Sequence, residues 1–328
     1  MRAMLCKELG EPSGLVMGDV APPALGPGQA RIHVHTAGVN FADTLIIAGK
    51  YQVRPDLPFA PGMEVAGVVA DCAEGVTTCR PGDRVLATVS HGGYAEEAVA
   101  EADQVMVIPD GMDFAAAAGF PVVYGTSHLA LDHRAHLRAG EVLLVHGAAG
   151  GVGLSAVEIG KVMGATVIAC ASSAEKLAVA RDHGADHLID TSTDSVRERV
   201  KEITGGADVI YDPVGGEAMT ESLRCINWEG RVLVIGFASG TIPQIPANYL
   251  LLKNCAAIGL FWGAYLRRDA DTIRLARESY ATLLGWVAEG RLRPHVSHRF
   301  PLDQAADALA LLGARKTTGK VVLTMGRD

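Results

Sequence analysis

At 328 residues the chain is longer than one hydrophobic core usually serves, so two domains are expected. Apolar residues make up 49% and aromatic residues only 5%, which fits a large Ala/Val/Leu/Gly-rich α/β core better than an aromatic-rich sandwich. A formal charge of −8, from 29 Lys plus Arg against 37 Asp plus Glu, disfavours non-specific binding to nucleic acid or anionic membrane.

Residues 1–8 lack the apolar core of a signal peptide, and no stretch approaches the ~20 apolar residues of a spanning helix, so a cytoplasmic location is expected. The first 120 residues are rich in Gly and Pro, with strand-like runs at 31–36, 65–70, 84–89 and 104–108. Turn signals such as Gly26-Pro27-Gly28, Pro61-Gly62 and Pro81-Gly82-Asp83 separate them, and this spacing predicts an all-β unit, a small barrel. From about Pro121 the texture changes: strands at 142–145, 167–170, 187–190, 208–212, 231–236 and 256–260 alternate with helical segments such as 174–183 and 195–203. That pattern predicts a doubly wound parallel sheet. Helices near 272–289 and 303–312 follow, then a strand at 320–325 that could rejoin the first domain. Between them, the basic run Arg291-Leu292-Arg293-Pro294-His295 reads as a solvated loop. The cysteines, Cys6, Cys72, Cys79, Cys170, Cys225 and Cys255, have no CxxC spacing; Cys72 and Cys79 could be near neighbours, and free thiols are expected rather than a disulfide.

The stretch from Glu141 to Gly153, an apolar strand, a glycine turn and a helix, reads as a dinucleotide site. Gly150 stands where backbone must approach a pyrophosphate and Gly153 where the helix must pack closely on the strand, while the helix N-terminus supplies N–H groups and positive dipole. Ala148 replaces the first glycine of GxGxxG. The helix at 152–163 places Ser155, Glu158 and Lys161 on one polar face, as in an amphipathic helix on a sheet. Past the second strand, where an NAD-preferring site carries an acid for the ribose 2′-OH, stands Ala171, then Ser172, Ser173 and Lys176. A neutral edge with hydroxyls and a cation welcomes a 2′-phosphate, so NADPH is expected; Ser172 and Ser173 also suit the N-cap of the next helix.

Gly38-Val39-Asn40-Phe41-Ala42-Asp43, Pro61-Gly62-Met63-Glu64-Val65-Ala66-Gly67, Arg80-Pro81-Gly82-Asp83-Arg84-Val85, the glycine turn, Tyr211-Asp212-Pro213-Val214-Gly215-Gly216 and Gly319-Lys320-Val321-Val322 occur in that order. This set, spanning essentially the whole chain, resembles the zeta-crystallin-like quinone oxidoreductases of the medium-chain dehydrogenase/reductase superfamily. The resemblance implies an α/β protein: a GroES-like β-barrel substrate domain (1–120, resumed at 261–328) plus a Rossmann doubly wound parallel sheet that binds NADPH (121–260). It also implies an active site in the cleft and a homodimer joined edge to edge through the cofactor domains.

Zinc alcohol dehydrogenases of that superfamily place a ligand Cys where this chain has Asn40 and a ligand His where it has Met63. Glu64 alone cannot supply the three ligands of a catalytic zinc, and the four-cysteine lobe of a structural zinc is missing, so no metal is expected. Hydrogen-bond donors must then polarise the acceptor, which suits quinones and activated enones. Asn40 and Tyr51 are the candidates; family members often carry Tyr at the position of Leu45, and Tyr51 matches a second family Tyr, although a loop aromatic packing on its neighbours is an equal reading. Asp43 is expected to orient the loop and Glu64 to be structural. Similar reductases hold the 2′-phosphate with a Ser and the Lys of the 172–176 loop and an Arg matching Arg315; Thr191 replaces a family Tyr. Family position also marks Ala149, Gly150, Gly151, Val152, Gly153, Val214, Gly215, Ile235, Gly236, Phe237, Phe261 and Trp262 around the cofactor. The reaction implied is reduction of a quinone or α,β-unsaturated carbonyl by NADPH. Alternatives are an enoyl-thioester or 2-alkenal reductase, with Arg291 and Arg293 on a phosphate-bearing carrier, and a cofactor-binding structural or RNA-binding protein with little turnover.

Overall fold

The computed structural model describes residues 1–326, which divide into two compact units. Unit 1 comprises residues 1–122, 273–288 and, as far as it is described, 294–326; unit 2 comprises Val123–Thr272 and Glu289–Arg293.

Unit 1 begins with β1 (Arg2–Leu5) and β2 (Val16–Asp19), an antiparallel ribbon. Next come β3 (Gln29–Val39), α1 (Phe41–Ile47), β4 (Glu64–Cys72), β5 (Arg84–Thr88), β6 (Glu97–Glu101), β7 (Val105–Val107) and α2 (Phe114–Ala118), after which α3 (Pro121–His128) begins in unit 1 and continues as the first helix of unit 2. Along the first half of β3, Ala30, Ile32 and Val34 are buried while Arg31, His33 and His35 are less so, the two-residue period of a strand with one inward face. One edge of β3 pairs with β4; the other pairs with β6 from Gln29 to His33 and is then free for another partner. The runs expected at 31–36, 65–70, 84–89 and 104–108 all lie in strands whose ends shift by a few residues.

Unit 2 holds β8 (Val142–Val145), α4 (Gly151–Val162), β9 (Thr166–Ala171), α5 (Ala174–Asp182), β10 (His187–Asp190), α6 (Val196–Thr204), β11 (Ala207–Asp212), α7 (Glu217–Cys225), β12 (Ile226–Val234), α8 (Ala247–Lys253) and β13 (Ala256–Gly259). The six strands are all parallel, in the order β10-β9-β8-β11-β12-β13. The winding reverses between β8 and β11, the place where open parallel sheets bind ligands. Leu144, Ile168, Ile189, Ile210 and Val232, all buried, form the middle of the core.

The polar stripe expected on α4 does not face solvent. Ser155 and Glu158 are buried because the chain after Pro121 covers that face: Ser155 Oγ donates to Val123 O at 3.1 Å and lies 2.9 Å from Ser127 Oγ. Lys161 alone reaches out, with Nζ 2.8 Å from Asp186.

After α9 (Trp262–Tyr265), α10 (Ala270–Ala288) carries the chain back to unit 1 at Ile273 rather than at 261, since α9 still belongs to unit 2. The basic loop is no free excursion: Glu289–Arg293 belongs to unit 2, where Arg291 donates to Val162 O at 3.2 Å and Arg293 N to Glu158 Oε1 at 3.2 Å. β14 (Val296–Pro301), α11 (Ala305–Gly313) and β15 (Lys320–Thr324) complete unit 1. β15 takes the vacant half-edge of β3, from Val39 to Thr36, giving a seven-stranded mixed sheet. Among the described residues no helix is long and apolar enough to cross a membrane.

Candidate active site

In unit 2 the turn after β8 is closed by Gly150 N donating to Gly147 O at 2.9 Å and is tied to β9 by Ala148 N donating to Cys170 O at 3.0 Å. Gly147 has φ +57°, a conformation that favours glycine. A Cβ on Gly153 would lie 2.2 Å from Gly147 O and 2.7 Å from Gly147 C, so this glycine is imposed by helix-on-turn packing. Gly150 differs: with φ −79° and its nearest neighbour 3.4 Å from an added Cβ, the protein itself has room for a side chain there. No side chain caps α4, so the N–H groups of Gly151, Val152 and Gly153 lack intrahelical acceptors. The turn is thus an uncapped, positive helix end with bare backbone in front of it, suited to a pyrophosphate.

Beside it, β9 ends at Ala171, which packs with Ala149, Leu177 and Leu188. Ser172 is exposed, and Ser173 caps α5 by accepting from Lys176 N at 3.4 Å. Thr191 N donates to Ala171 O at 2.9 Å, which sets exposed Thr191 next to that strand end. Asp190 is the cross-strand partner of Ala171, but its carboxylate is bound to Ser192 N at 2.9 Å and Ser192 Oγ at 2.6 Å, bonds that hold its pKa below the usual range. Past β11, Asp212 Oδ1 accepts from Val214 N at 2.8 Å and Gly215 N at 2.9 Å, and Ile235 N donates to Asp212 O at 3.0 Å, so the loops carrying Val214, Ile235, Gly236 and Phe237 are knitted together. Phe261 follows β13 at the same end of the sheet, with the Arg267 guanidinium 5.8 Å from its ring centre.

In unit 1, Asn40 caps the start of α1 and is nearly buried. Its amide is engaged at both ends: Nδ2 donates to Glu64 Oε1 at 2.8 Å, and Oδ1 accepts from Lys320 Nζ at 2.7 Å. One Nδ2 hydrogen is therefore left for a ligand. Lys320 Nζ also reaches Val39 O and Glu64 Oε1, each at 2.8 Å, and Glu64 Oε2 accepts from Val122 N at 2.8 Å. A Cβ on Gly38 would come 2.3 Å from Glu64 Oε1, so the buried carboxylate needs that glycine. Asp43 Oδ2 accepts from Asn40 N at 2.8 Å and Tyr94 OH at 2.9 Å, while Oδ1 is buried without a partner. Burial pushes the Asp43 carboxyl up to about 7 against these two bonds.

Tyr51 is partly buried and packs against the unit 1 core. Arg315 lies in unit 1 just past α11, exposed and at φ +57°. Where zinc enzymes place ligands stand Asn40 and Met63, neither of which supplies an anionic or imidazole donor, and among the described residues no three His, Cys, Asp or Glu side chains are grouped to hold a metal. Sequence reasoning missed the roles of Lys320 and Tyr94, and the set that buried Tyr124 and Glu158 form with partly buried His183. A lysine at the head of the apolar run Val321-Val322-Leu323 was a readable sign of the first.

A GroES-like unit carried by both ends of the chain and a six-stranded parallel unit between them in sequence make the fold of the medium-chain dehydrogenases/reductases. Residues 26–110 match the alcohol dehydrogenase GroES-like domain, and residues 151–282 match the zinc-binding dehydrogenase family. The chain is 44% identical to the quinone oxidoreductase-like protein 2 homolog of Nematostella vectensis, covering 98% of this chain and 88% of that one. It is 37% identical to a quinone oxidoreductase of Pseudomonas aeruginosa, covering 96% of each. The quinone oxidoreductase of Escherichia coli complexed with NADPH superimposes with a TM-score of 0.89 at 29% identity, over 99% of this chain and all of that one. The chain belongs to the quinone oxidoreductase family.

Proposed function

We propose that this protein is a zinc-independent oxidoreductase that carries reducing equivalents from NADPH to a quinone or an activated enone. The observation that carries the reading is the uncapped α4 turn with bare backbone at Gly150, beside a β9 end that bears hydroxyls and no acid. NADPH bound to the Escherichia coli relative supports the same cofactor here. Bound NADPH supplies a hydride.

The chain's own residues bind, orient and polarise. Ala149, Gly150, Gly151, Val152 and Gly153 present backbone to the pyrophosphate. Ala171 leaves room for a 2′-phosphate, which Ser172, Ser173, Lys176 and Thr191 of the same unit would hold; Arg315 is a further candidate by family position. Ser173 Oγ already accepts the cap bond, so its O–H is free to donate. Val214, Ile235, Gly236, Phe237 and Phe261, at the carboxyl ends of the strands, flank the rest of the cofactor. The spare Nδ2 hydrogen of Asn40 and the Tyr51 phenol polarise the acceptor oxygen, with Glu64 and Lys320 fixing the Asn40 amide. Neither acid near Asn40 is exposed, so the proton comes from water. The protein works as a homodimer: β13 is a sheet edge, and Ile242, Leu251 and Leu252 are exposed in the same unit.

The test is an acceptor panel of 1,4-benzoquinone, 9,10-phenanthrenequinone and crotonyl-CoA followed by NADPH absorbance, run with NADH in parallel. Quinone turnover with kcat/KM favouring NADPH is expected. A preference for NADH rejects the cofactor assignment, turnover of crotonyl-CoA alone points to an enoyl-thioester reductase, and tight NADPH binding without turnover points to a structural protein. Stoichiometric zinc in the purified protein overturns metal independence, and a monomer by sedimentation overturns the dimer.

A further inference from the structure

Cys72 ends β4, and Cys79 lies in the turn that leads to β5, with the two Sγ atoms 3.8 Å apart. Cys72 is partly exposed while Cys79 is buried in the unit 1 core. Both thiols are free, and Cys72 Sγ also lies 3.6 Å from Cys79 O. A disulfide needs sulfurs about 2.05 Å apart, so closure asks for a shift of under about 2 Å.

The intervening chain can supply it. Glu74, Gly75, Thr77 and Thr78 are exposed, and Gly75 sits at φ +84° with open space around it. The same segment forms a wall of a surface hollow of about 370 Å³ whose other side is Gly28, Glu101, Ala102 and Asp103. Ala73 N donates to Gln29 O at 2.9 Å and Thr78 Oγ1 to Ala102 O at 2.8 Å, fastening its ends to neighbouring segments. Val76 and Cys72 pack against the edge of the unit 1 core and Cys79 lies within it, so the exposed residues between them take up most of the movement.

We propose that Cys72 and Cys79 form a site of reversible oxidation, a dithiol that closes to a disulfide when a peroxide reaches it. Cys72, the more exposed, loses its proton and attacks a peroxide oxygen; the O–O bond breaks, a sulfenic acid forms, and the departing hydroxide takes up a proton as water. The Cys79 sulfur then attacks the Cys72 sulfur, the S–S bond forms, the S–O bond breaks and a second water leaves. Two thiols lose two electrons and two protons, and the peroxide is reduced to two waters. Cys79 is already in contact, so closure competes with further oxidation of the sulfenic acid. Desolvation, and then the neighbouring thiol, push Cys72 up to about 11, so the first step is slow at neutral pH and speeds about tenfold per pH unit.

The whole protein is treated with hydrogen peroxide, alkylated without reduction, digested and mapped by mass spectrometry. The expected product is a cross-linked pair of peptides containing Cys72 and Cys79, lighter by two hydrogens, released by dithiothreitol and formed about ten times faster at pH 8 than at pH 7. In Cys79→Ser, dimedone should trap the sulfenic acid on Cys72. Sulfinic acid on Cys72 without a cross-link, or an unmodified pair under conditions that oxidise free glutathione fully, overturns the proposal.

Discussion

Lys320 Nζ lies 2.8 Å from Glu64 Oε1, and only 6% and 0% of the two side chains are exposed. The ammonium spends all its donors inside, on Glu64, Asn40 Oδ1 and Val39 O, so the pair is buried and satisfied together. Removing one partner leaves an uncompensated charge, which is worse than removing both. Lys320→Met should lose about 3–5 kcal/mol in urea denaturation, and Lys320→Met with Glu64→Gln should lose less. A single variant as stable as the parent would contradict this.

Asp43 makes stability fall with pH. Its folded-state value of about 7 lies above the unfolded value of about 4, so between them the folded protein holds the extra proton. The contribution is fully present below about pH 4 and lost as pH rises through about 7. Asp43→Asn, which cannot ionise, should therefore gain on the parent in denaturation midpoint from pH 5 to pH 8. An advantage that shrinks over that range would refute the assignment.

The two glycines of the turn should separate. Gly153→Ala drives a Cβ into the Gly147 carbonyl and should cost about 1–3 kcal/mol of stability as well as NADPH binding. Gly150→Ala fits the backbone, so it should melt like the parent yet bind NADPH at least about tenfold more weakly, a loss of ~1.4 kcal/mol. Fluorescence titration beside thermal melts checks both; unchanged affinity in Gly150→Ala would remove the pyrophosphate from this turn.

Glu158 in α4 is ringed by donors: Tyr124 OH on one oxygen, His183 Nδ1 at 2.7 Å and Arg293 N at 3.2 Å on the other. Tyr124→Phe removes one donor from a buried carboxylate and should cost about 1–3 kcal/mol. Amide exchange in residues 289–293 should quicken in Glu158→Ala, where the anchor for Arg293 is gone; protection equal to the parent's would show that other contacts hold the segment.

What could be read from the residues follows the range of the interactions. β8 and β10 lie where the strand-like runs at 142–145 and 187–190 put them, because short strands bounded by turns declare themselves locally. The glycine turn was legible for the same reason, since Gly147 and Gly153 constrain each other within one turn. β6, Glu97–Glu101, was not, because Glu-Ala-Val-Ala-Glu has little strand propensity and is drawn into the sheet by β3. Asn40, expected as an open donor, is held by residues 24 and 280 positions away, which no local rule connects. On α4 the spacing of Ser155 and Glu158 marks a polar face correctly but is silent on what covers it.

The half-edge of β3 from Thr36 to Val39 is filled by the strand that carries Lys320. On the ribosome, residues 123–272 emerge well before that strand, so the parallel sheet can close while β3 still shows bare hydrogen-bonding groups and Glu64 has no counter-ion. A chain halted before residue 320 would expose an unpaired edge, an invitation to pair with other chains. The pairing of β15 with β3 is thus a checkpoint: until it forms, the sheet carries an open edge and a buried acid without its partner.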